Sequence, residues 1–265
     1  MTTPARFDEL SRGLADAARA HDDLVGIVLL GSASAAGAPR RDAWSDHDFF
    51  AITADGRGRA LRPELGWLPD PERIVLTARE GELGFVALYD DGHVLEFAVG
   101  DAAELGDALI GDATVLVDSA NGEVAALVAA GQARVGAADR FDPAMDARLV
   151  LVKLLIGVGR ARRGEVLIAG EFVRVWAVRH LVRAIRGRFP DASSPIRDAI
   201  DPVRRFETDH PRLGARIATA IAAPVEPAAE ALLRIACEAL EPGWADFPSA
   251  AADAVRRRLG WTAGP

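Results

Sequence analysis

Apolar and polar residues follow two different patterns along the chain. Up to about residue 117, short apolar runs of strand length are separated by turns, after one opening segment with helical spacing. From about residue 121, strand signals are absent and apolar residues recur at helical spacing between prolines. The change predicts an α+β protein, with a mixed sheet and helices over residues 1–120 and an all-α helical bundle over residues 121–265.

The same pattern predicts the individual elements. In the first half we expect helices over 5–20 and 57–68, strands over 24–30, 46–53, 73–79 and 113–117, and a hairpin over 84–99 that turns at Asp91-Gly92. In the second half we expect helices over 121–131, 143–163, 165–188, 196–206, 211–222, 226–241 and 246–259.

Acidic residues occur at two of the predicted strands. Asp46 and Asp48 open an apolar strand, and because side chains alternate between faces, both project from one side, about 6.6 Å apart along the backbone. Neighbouring carboxylates repel each other, and a divalent cation removes that cost. Glu96 is set among apolar residues in the second arm of the hairpin, which the pattern predicts to be a central strand, where a buried carboxylate is rare unless it is paired or bound to a cation; the alternative is an edge-strand surface acid.

A glycine-serine pair ends the apolar run that precedes the two aspartates. Gly31 lets the backbone approach a phosphate closely, and N–H groups of a helix starting at Ser32 would point at an anion. Ser34, Arg40 and Arg41 follow in the same loop. For each arginine two roles stay open, contact with a phosphate group or exposure to solvent.

Gly31-Ser32, thirteen intervening residues and then Asp46-His47-Asp48-Phe49 resemble the signature of the DNA polymerase β-like nucleotidyltransferase superfamily. The Ser-Asp-x-Asp form, the length and the helical second half are most similar to the bacterial antibiotic nucleotidyltransferases, lincosamide and aminoglycoside types included. His47 departs from the pattern, because an apolar residue is more usual there; it is expected to face away from the carboxylates. The resemblance implies a nucleotidyltransferase-fold sheet followed by a helical domain that closes the cleft.

The resemblance also implies a reaction. It is the transfer of a nucleoside monophosphate, with AMP from ATP preferred over another nucleoside triphosphate, to a hydroxyl of a small molecule such as an aminoglycoside or lincosamide antibiotic. Two Mg²⁺ ions about 3.5–4 Å apart would assist it. The implied catalytic and metal-binding residues are Asp46, Asp48 and Glu96. The implied nucleotide-binding residues are Gly31, Ser32, Ser34, Arg40 and Lys153.

Several roles stay open at this point. Lys153, the one lysine of the chain, either snorkels from the bundle or reaches the triphosphate, as a helical-domain lysine does in the family. The general base is Glu96, Glu165 or Glu171, because a base must lie within hydrogen-bonding reach of the acceptor hydroxyl. Trp44 either walls the nucleotide pocket or is a core or rim residue.

Composition and charge narrow the partners. A net charge of −8 argues against a nucleic-acid partner and allows a cationic acceptor. No run is as long as a membrane span and no leader pattern opens the chain, so we expect a cytoplasmic protein without a membrane partner, as a monomer or homodimer. Cys237, the single cysteine, is expected to be a buried structural thiol. Two alternatives remain, a protein acceptor and a non-catalytic nucleotide-binding module.

Overall fold

The computed structural model describes residues 3–138, 141–190, 198 and 200–261. The chain forms two compact units, Met1–Ala138 and Asp139–Pro265. The first unit therefore includes helix Glu123–Ala138, which the sequence pattern assigns to the second domain. This helix packs through Val124 and Leu127 into an apolar cluster with the sheet residues Val28 and Ile52. The predicted α+β class is confirmed.

One mixed sheet organises the first unit. Among the described residues it has six strands, β1 (Leu24–Leu30), β2 (His47–Thr53), β3 (Ile74–Glu80), β4 (Gly84–Tyr89), β5 (Val94–Gly100) and β6 (Ala113–Val117). Their order is β3-β4-β5-β2-β1-β6. Strands β2 and β5 are parallel, whereas the other neighbours are antiparallel. Among the described residues, the α-helices of this unit are α1 (Pro4–Ala20), α2 (Gly58–Leu61) and α3 (Glu123–Ala138), and short 3-10 helices lie at Gly31–Ala33, Ala38–Arg40, Leu65–Trp67 and Pro71–Arg73.

The two faces of this sheet have different coverings. On one face, Phe49 of β2 and Phe97 of β5 belong to a core cluster that includes Phe7 and Leu10 of α1. On the other face, the apolar residues pack with α3. Alternation along β2 therefore buries every second residue against α1 and turns Asp48 toward the opposite face.

The second unit is helical in its described residues. Its elements are α4 (Pro143–Arg162), α5 (Val166–Gly170), a π-helical stretch Glu171–Ala177, α6 (Val178–Arg188), α7 (Phe206–Asp209), α8 (Pro211–Ile221), α9 (Val225–Leu240) and α10 (Ser249–Leu259). Leu154 of α4, Leu181 of α6 and Leu232 of α9 are fully buried in its core. Cys237 is also buried, as expected, and burial raises the pKa of its thiol.

Two predicted helices are wrong in part. Helix 57–68 is interrupted, because α2 ends at Leu61 and Pro63 has no N–H with which to continue the hydrogen-bond ladder. Of the predicted helix 196–206, residues 196, 197 and 199 lie outside the described residues, and 200–205 are not helical. Arg205 has φ 59°, in the left-handed region, and α7 begins only after it. Within the described ranges, none of the helices combines the length and apolar character needed to cross a membrane.

Candidate functional site

Three carboxylates meet at the start of the two central strands of the sheet, β2 and β5. In the parallel pairing of β2 with β5, Asp48 lies opposite Glu96, and Asp46 stands one residue before β2 begins. One carboxylate oxygen from each of the three residues lies within 4.8 Å of the other two. The predicted convergence of these three acids is therefore observed.

The cluster is open to solvent. Asp46 and Asp48 are half-buried and Glu96 is exposed. The prediction that Glu96 lies in a central strand is confirmed, but the alternative in which its carboxylate is buried is wrong, since the apolar neighbours Leu95 and Phe97 point to the other face. At 4.8 Å, two unit charges repel by about 1 kcal/mol in water and about 3.5 kcal/mol at an effective dielectric near 20. A hard divalent cation with oxygen ligands suits such a group of acids.

The glycine-serine bend lies directly beside this cluster. Leu30, the last residue of β1, pairs with Asp48, and Gly31 then turns the chain with φ 50°, which favours glycine. A Cβ on Gly31 would lie 3.4 Å from Asp48 Oδ2. The glycine-serine bend is therefore adjacent to the acidic cluster, as the motif implies.

The donors of the bend differ from the prediction. The Gly31 N–H donates to the carbonyl oxygen of Asp112 at 2.9 Å, so this N–H is already used within the protein. The Ser32 side chain is half-buried, and among the described residues its hydroxyl forms no hydrogen bond. Of the two residues, Ser32 is the one with a donor that a phosphate can use.

Ser34 does not fit its predicted role as a nucleotide ligand. Its side chain is fully buried, and its hydroxyl donates to the Gly31 carbonyl at 2.8 Å and accepts from the Gly37 N–H at 3.0 Å. A Cβ on Gly37 would fall 1.8 Å from the Gly31 carbonyl oxygen, so glycine is required for this close approach. Ser34 therefore shapes the loop.

The two loop arginines also have partners in the first unit. Arg40 forms an ion pair with Asp112, and Arg41 donates to the carbonyls of Ser32 and Ala33 at 3.1 and 3.2 Å. Asp112, which holds both Gly31 and Arg40, was not identified from the sequence. It immediately precedes a predicted strand and carries no motif. A nucleotide contact by Arg40 stays a prediction.

An exposed tryptophan stands two residues before the cluster. Trp44 is 84% exposed, so it is not a core residue. The backbone N–H of Trp44 donates to Asp42 Oδ1 at 2.8 Å, and the backbone N–H of Asp42 donates to Ser45 Oγ at 3.0 Å. These bonds fix the backbone of the short turn that leads into Asp46.

His47 takes part in a buried polar network on the face opposite the acids. It is fully buried, its Nε2 lies 2.9 Å from Ser11 Oγ, and its Nδ1 lies 2.7 Å from His93 Nε2. Its ring stacks on Phe7 with centroids 3.7 Å apart. Burial, together with the neighbouring His93, lowers the pKa of His47 to about 3, and burial also lowers the pKa of His93. The ring is therefore neutral at pH 7, and the expectation that it faces away from the carboxylates is confirmed.

Three residues with open roles belong to the second unit. The Lys153 Nζ lies 5.6 Å from the ring centroid of Phe172 and 5.2 Å from that of Trp176. A hydrogen bond from Arg160, and to a smaller extent one from Arg163, lowers the pKa of Glu165 and makes this carboxylate a weaker base. Glu171 is exposed at the start of the π-helical stretch. A contact of Lys153 with a triphosphate stays a prediction.

The comparisons with known proteins find a structural likeness but no sequence relative. No protein-family model matches the sequence, and no curated protein matches it. Over its whole length the chain resembles a solved adenyltransferase. That structure is an aminoglycoside 6-adenyltransferase from Bacillus subtilis, and the alignment covers 100% of this chain and 94% of the other at 11% identity, with a TM-score of 0.29. A likeness this distant carries no conclusion about function.

Proposed function

We propose that the protein is a magnesium-dependent nucleotidyltransferase that moves a nucleoside monophosphate, preferably AMP from ATP, onto a hydroxyl of a small molecule such as an aminoglycoside or lincosamide antibiotic. The observation that carries the proposal is the meeting of Asp46, Asp48 and Glu96 within 4.8 Å, beside the Gly31-Ser32 bend. An isolated pair of acids at a strand end is common, but a third acid in register on the neighbouring strand is not required by the fold.

The donor set fits the proposed metal. Three carboxylates offer only oxygen ligands, which magnesium prefers, and their mutual repulsion favours a bound cation. Partial exposure leaves room for phosphate oxygens and water to complete the coordination. Bound there, magnesium would neutralise triphosphate charge and make the acceptor hydroxyl more acidic.

The positions of the protein groups support the following roles. Asp46, Asp48 and Glu96 would hold the metal, and the Ser32 hydroxyl would donate to a phosphate oxygen. The acceptor oxygen forms a bond to the α-phosphorus, the bond from that phosphorus to the bridging oxygen breaks, and pyrophosphate leaves. The proton of the acceptor hydroxyl passes to a carboxylate, for which Glu96 is the better candidate than the arginine-bound Glu165. Positioning and charge neutralisation then supply most of the catalysis.

Pyrophosphate release tests the proposal. The full chain is incubated with Mg²⁺, each nucleoside triphosphate and a panel of candidate acceptors, namely aminoglycosides, lincosamides and proteins, with and without EDTA. We expect release that depends on Mg²⁺ and on one class of acceptor, with ATP preferred. Asp48→Asn should reduce it to background, because the substitution keeps the shape of the side chain and removes a ligand charge.

Asp16→Asn is the matched control, since Asp16 is an exposed aspartate on α1 in an ion pair with Arg19. It should leave turnover unchanged. Turnover by Asp48→Asn at the wild-type rate would refute the proposal. Binding of Mg²⁺ and ATP without pyrophosphate release from any acceptor would instead favour the non-catalytic module, and release only with a protein acceptor would favour that alternative.

A further inference from the structure

In the sequence, a buried histidine stands between two of the proposed metal ligands. Its side chain lies on the face of the sheet opposite the ligands. His47 bridges Ser11 of α1 and His93, which stands just before β5. We propose that His47 is a positioning residue that sets the geometry of Asp46 and Asp48 relative to Glu96 through this bridge, an inference that rests on the proposed metal site.

The hydrogen bonds of this bridge have one consistent direction. The Ser11 hydroxyl donates to the Phe7 carbonyl at 3.1 Å, and a carbonyl oxygen can only accept. Ser11 Oγ must then accept from the Nε2–H of His47, so Nδ1 of this neutral ring is an acceptor. The His93 Nε2–H therefore donates to it. Each of these three bonds has one donor and one acceptor, and the chain of bonds fixes the orientation of both rings.

The bridge acts where strand pairing ends. His47 is the first residue of β2, paired with Leu95 of β5, and Asp46 lies before the first pair. Backbone pairing of β2 with β5 therefore holds Asp48 but does not extend to Asp46. An anchored side chain at His47 fixes the backbone on both sides of it, and so the directions in which Asp46 and Asp48 leave the chain.

An apolar side chain at this position would fill the same volume without the same constraint. Apolar contacts are not directional, whereas two hydrogen bonds and a stacked ring specify one orientation. The bridge also joins three segments, the helix α1, the start of β2 and the residue before β5. Replacing it should loosen the spacing between the two ligand-bearing strands at their open end while the core of the sheet stays packed.

Mn²⁺ affinity, measured by electron paramagnetic resonance of the free ion, tests the inference on the full chain without any turnover. We expect His47→Leu to weaken Mn²⁺ binding about tenfold, at the lower end of the range for residues that orient metal ligands. His47→Asn keeps an acceptor near the position of Nδ1 and should restore part of the affinity. Ser11→Ala removes the other partner at a helical position that tolerates alanine, and it should weaken binding in the same direction.

Urea unfolding of each variant separates positioning from folding. His21→Leu is the matched control, a histidine substitution in the loop after α1, and should not change Mn²⁺ affinity. Wild-type affinity in folded His47→Leu would overturn the inference even if stability falls, as would equal affinities of His47→Asn and His47→Leu. If His47→Leu does not fold, Ser11→Ala decides on the same criterion. A wild-type chain that binds no Mn²⁺ overturns the proposed function as well, and is thereby distinguished from a failure of His47 alone.

Discussion

Removing one charge from the acidic cluster should have opposite effects on stability with and without a divalent cation. Glu96→Gln is the suitable change, because Glu96 is exposed and glutamine keeps its shape. In the cation-free protein the substitution removes the repulsion of Glu96 with Asp46 and with Asp48. With the cation it removes a ligand.

The size of the first effect follows from the geometry. Two charges within 4.8 Å of each other repel by at least about 1 kcal/mol in water, and salt at about 0.15 M roughly halves that figure. Two pairs therefore contribute about 1 kcal/mol, and we expect cation-free Glu96→Gln to be more stable than the wild type by about that amount. A cation at 100 times its dissociation constant stabilises the wild type by about 2.7 kcal/mol. With saturating Mg²⁺ the order should reverse, because the variant binds the ion more weakly.

Urea unfolding in EDTA and in saturating Mg²⁺ measures both effects. Glu80→Gln is the matched control, an exposed glutamate at the end of the edge strand β3 of the same sheet, and its stability should equal that of the wild type in each of the two conditions. Equal stabilities of Glu96→Gln and wild type in both conditions would mean that the three acids neither repel one another measurably nor share a cation. That result would refute the electrostatic reasoning behind the site.

Two further substitutions test the surroundings of the site and the helical unit. Gly31→Ala should lower the free energy of unfolding by about 1–2 kcal/mol, because the residue has φ 50°, and should weaken Mg²⁺ binding, because its new Cβ would lie 3.4 Å from Asp48 Oδ2. Urea unfolding measures the first effect and Mn²⁺ titration the second. Gly66→Ala is the control, since no atom lies within 4 Å of the added Cβ. Asp209→Asn should lower the free energy of unfolding in urea by about 3–5 kcal/mol, because it leaves Arg186, which is 1% exposed and 2.6 Å from Asp209, as an uncompensated buried charge. A decrease below about 1 kcal/mol would contradict this prediction. Asp253→Asn, at the exposed pair with Arg256, is the control and should lower the free energy of unfolding by less than about 1 kcal/mol.

The strands of the first unit could be predicted from the sequence because local signals agree there. Apolar runs of strand length give β1 and β6 with their observed bounds, and Asp91-Gly92 gives the turn of the β4–β5 hairpin. The three acids could be proposed as one site only through the resemblance, because alternation places a side chain on a face but does not say which strands are neighbours. The parallel pairing of β2 with β5 supplies that information.

What the sequence could not supply are contacts made across long stretches of chain. Ser34 was expected to bind a nucleotide because it is polar and lies in the loop, but its hydroxyl is used by Gly31 and Gly37. Asp112 holds the bend from 81 positions further along the chain, counted from Gly31, and no local pattern marks it. The interrupted helix 57–68 has a local cause instead. Pro63 is a helix breaker that the sequence shows, but the apolar spacing around it favours one continuous helix.

The acidic cluster lies where the cover of the sheet ends, and this position explains why the fold tolerates it. Helix α3 packs over Ile52, near the end of β2, while Asp48 at its start is half-buried and Glu96 opposite it is exposed. Had the cover extended along the whole strand, the three carboxylates would have been buried together, and removing several like charges from water together is costly. The opposite face needs no such opening, because the polar group there, His47, is neutral and its ring nitrogens are hydrogen-bonded. The same two strands can therefore contribute to a dense core on one face and hold three charges at the edge of solvent on the other.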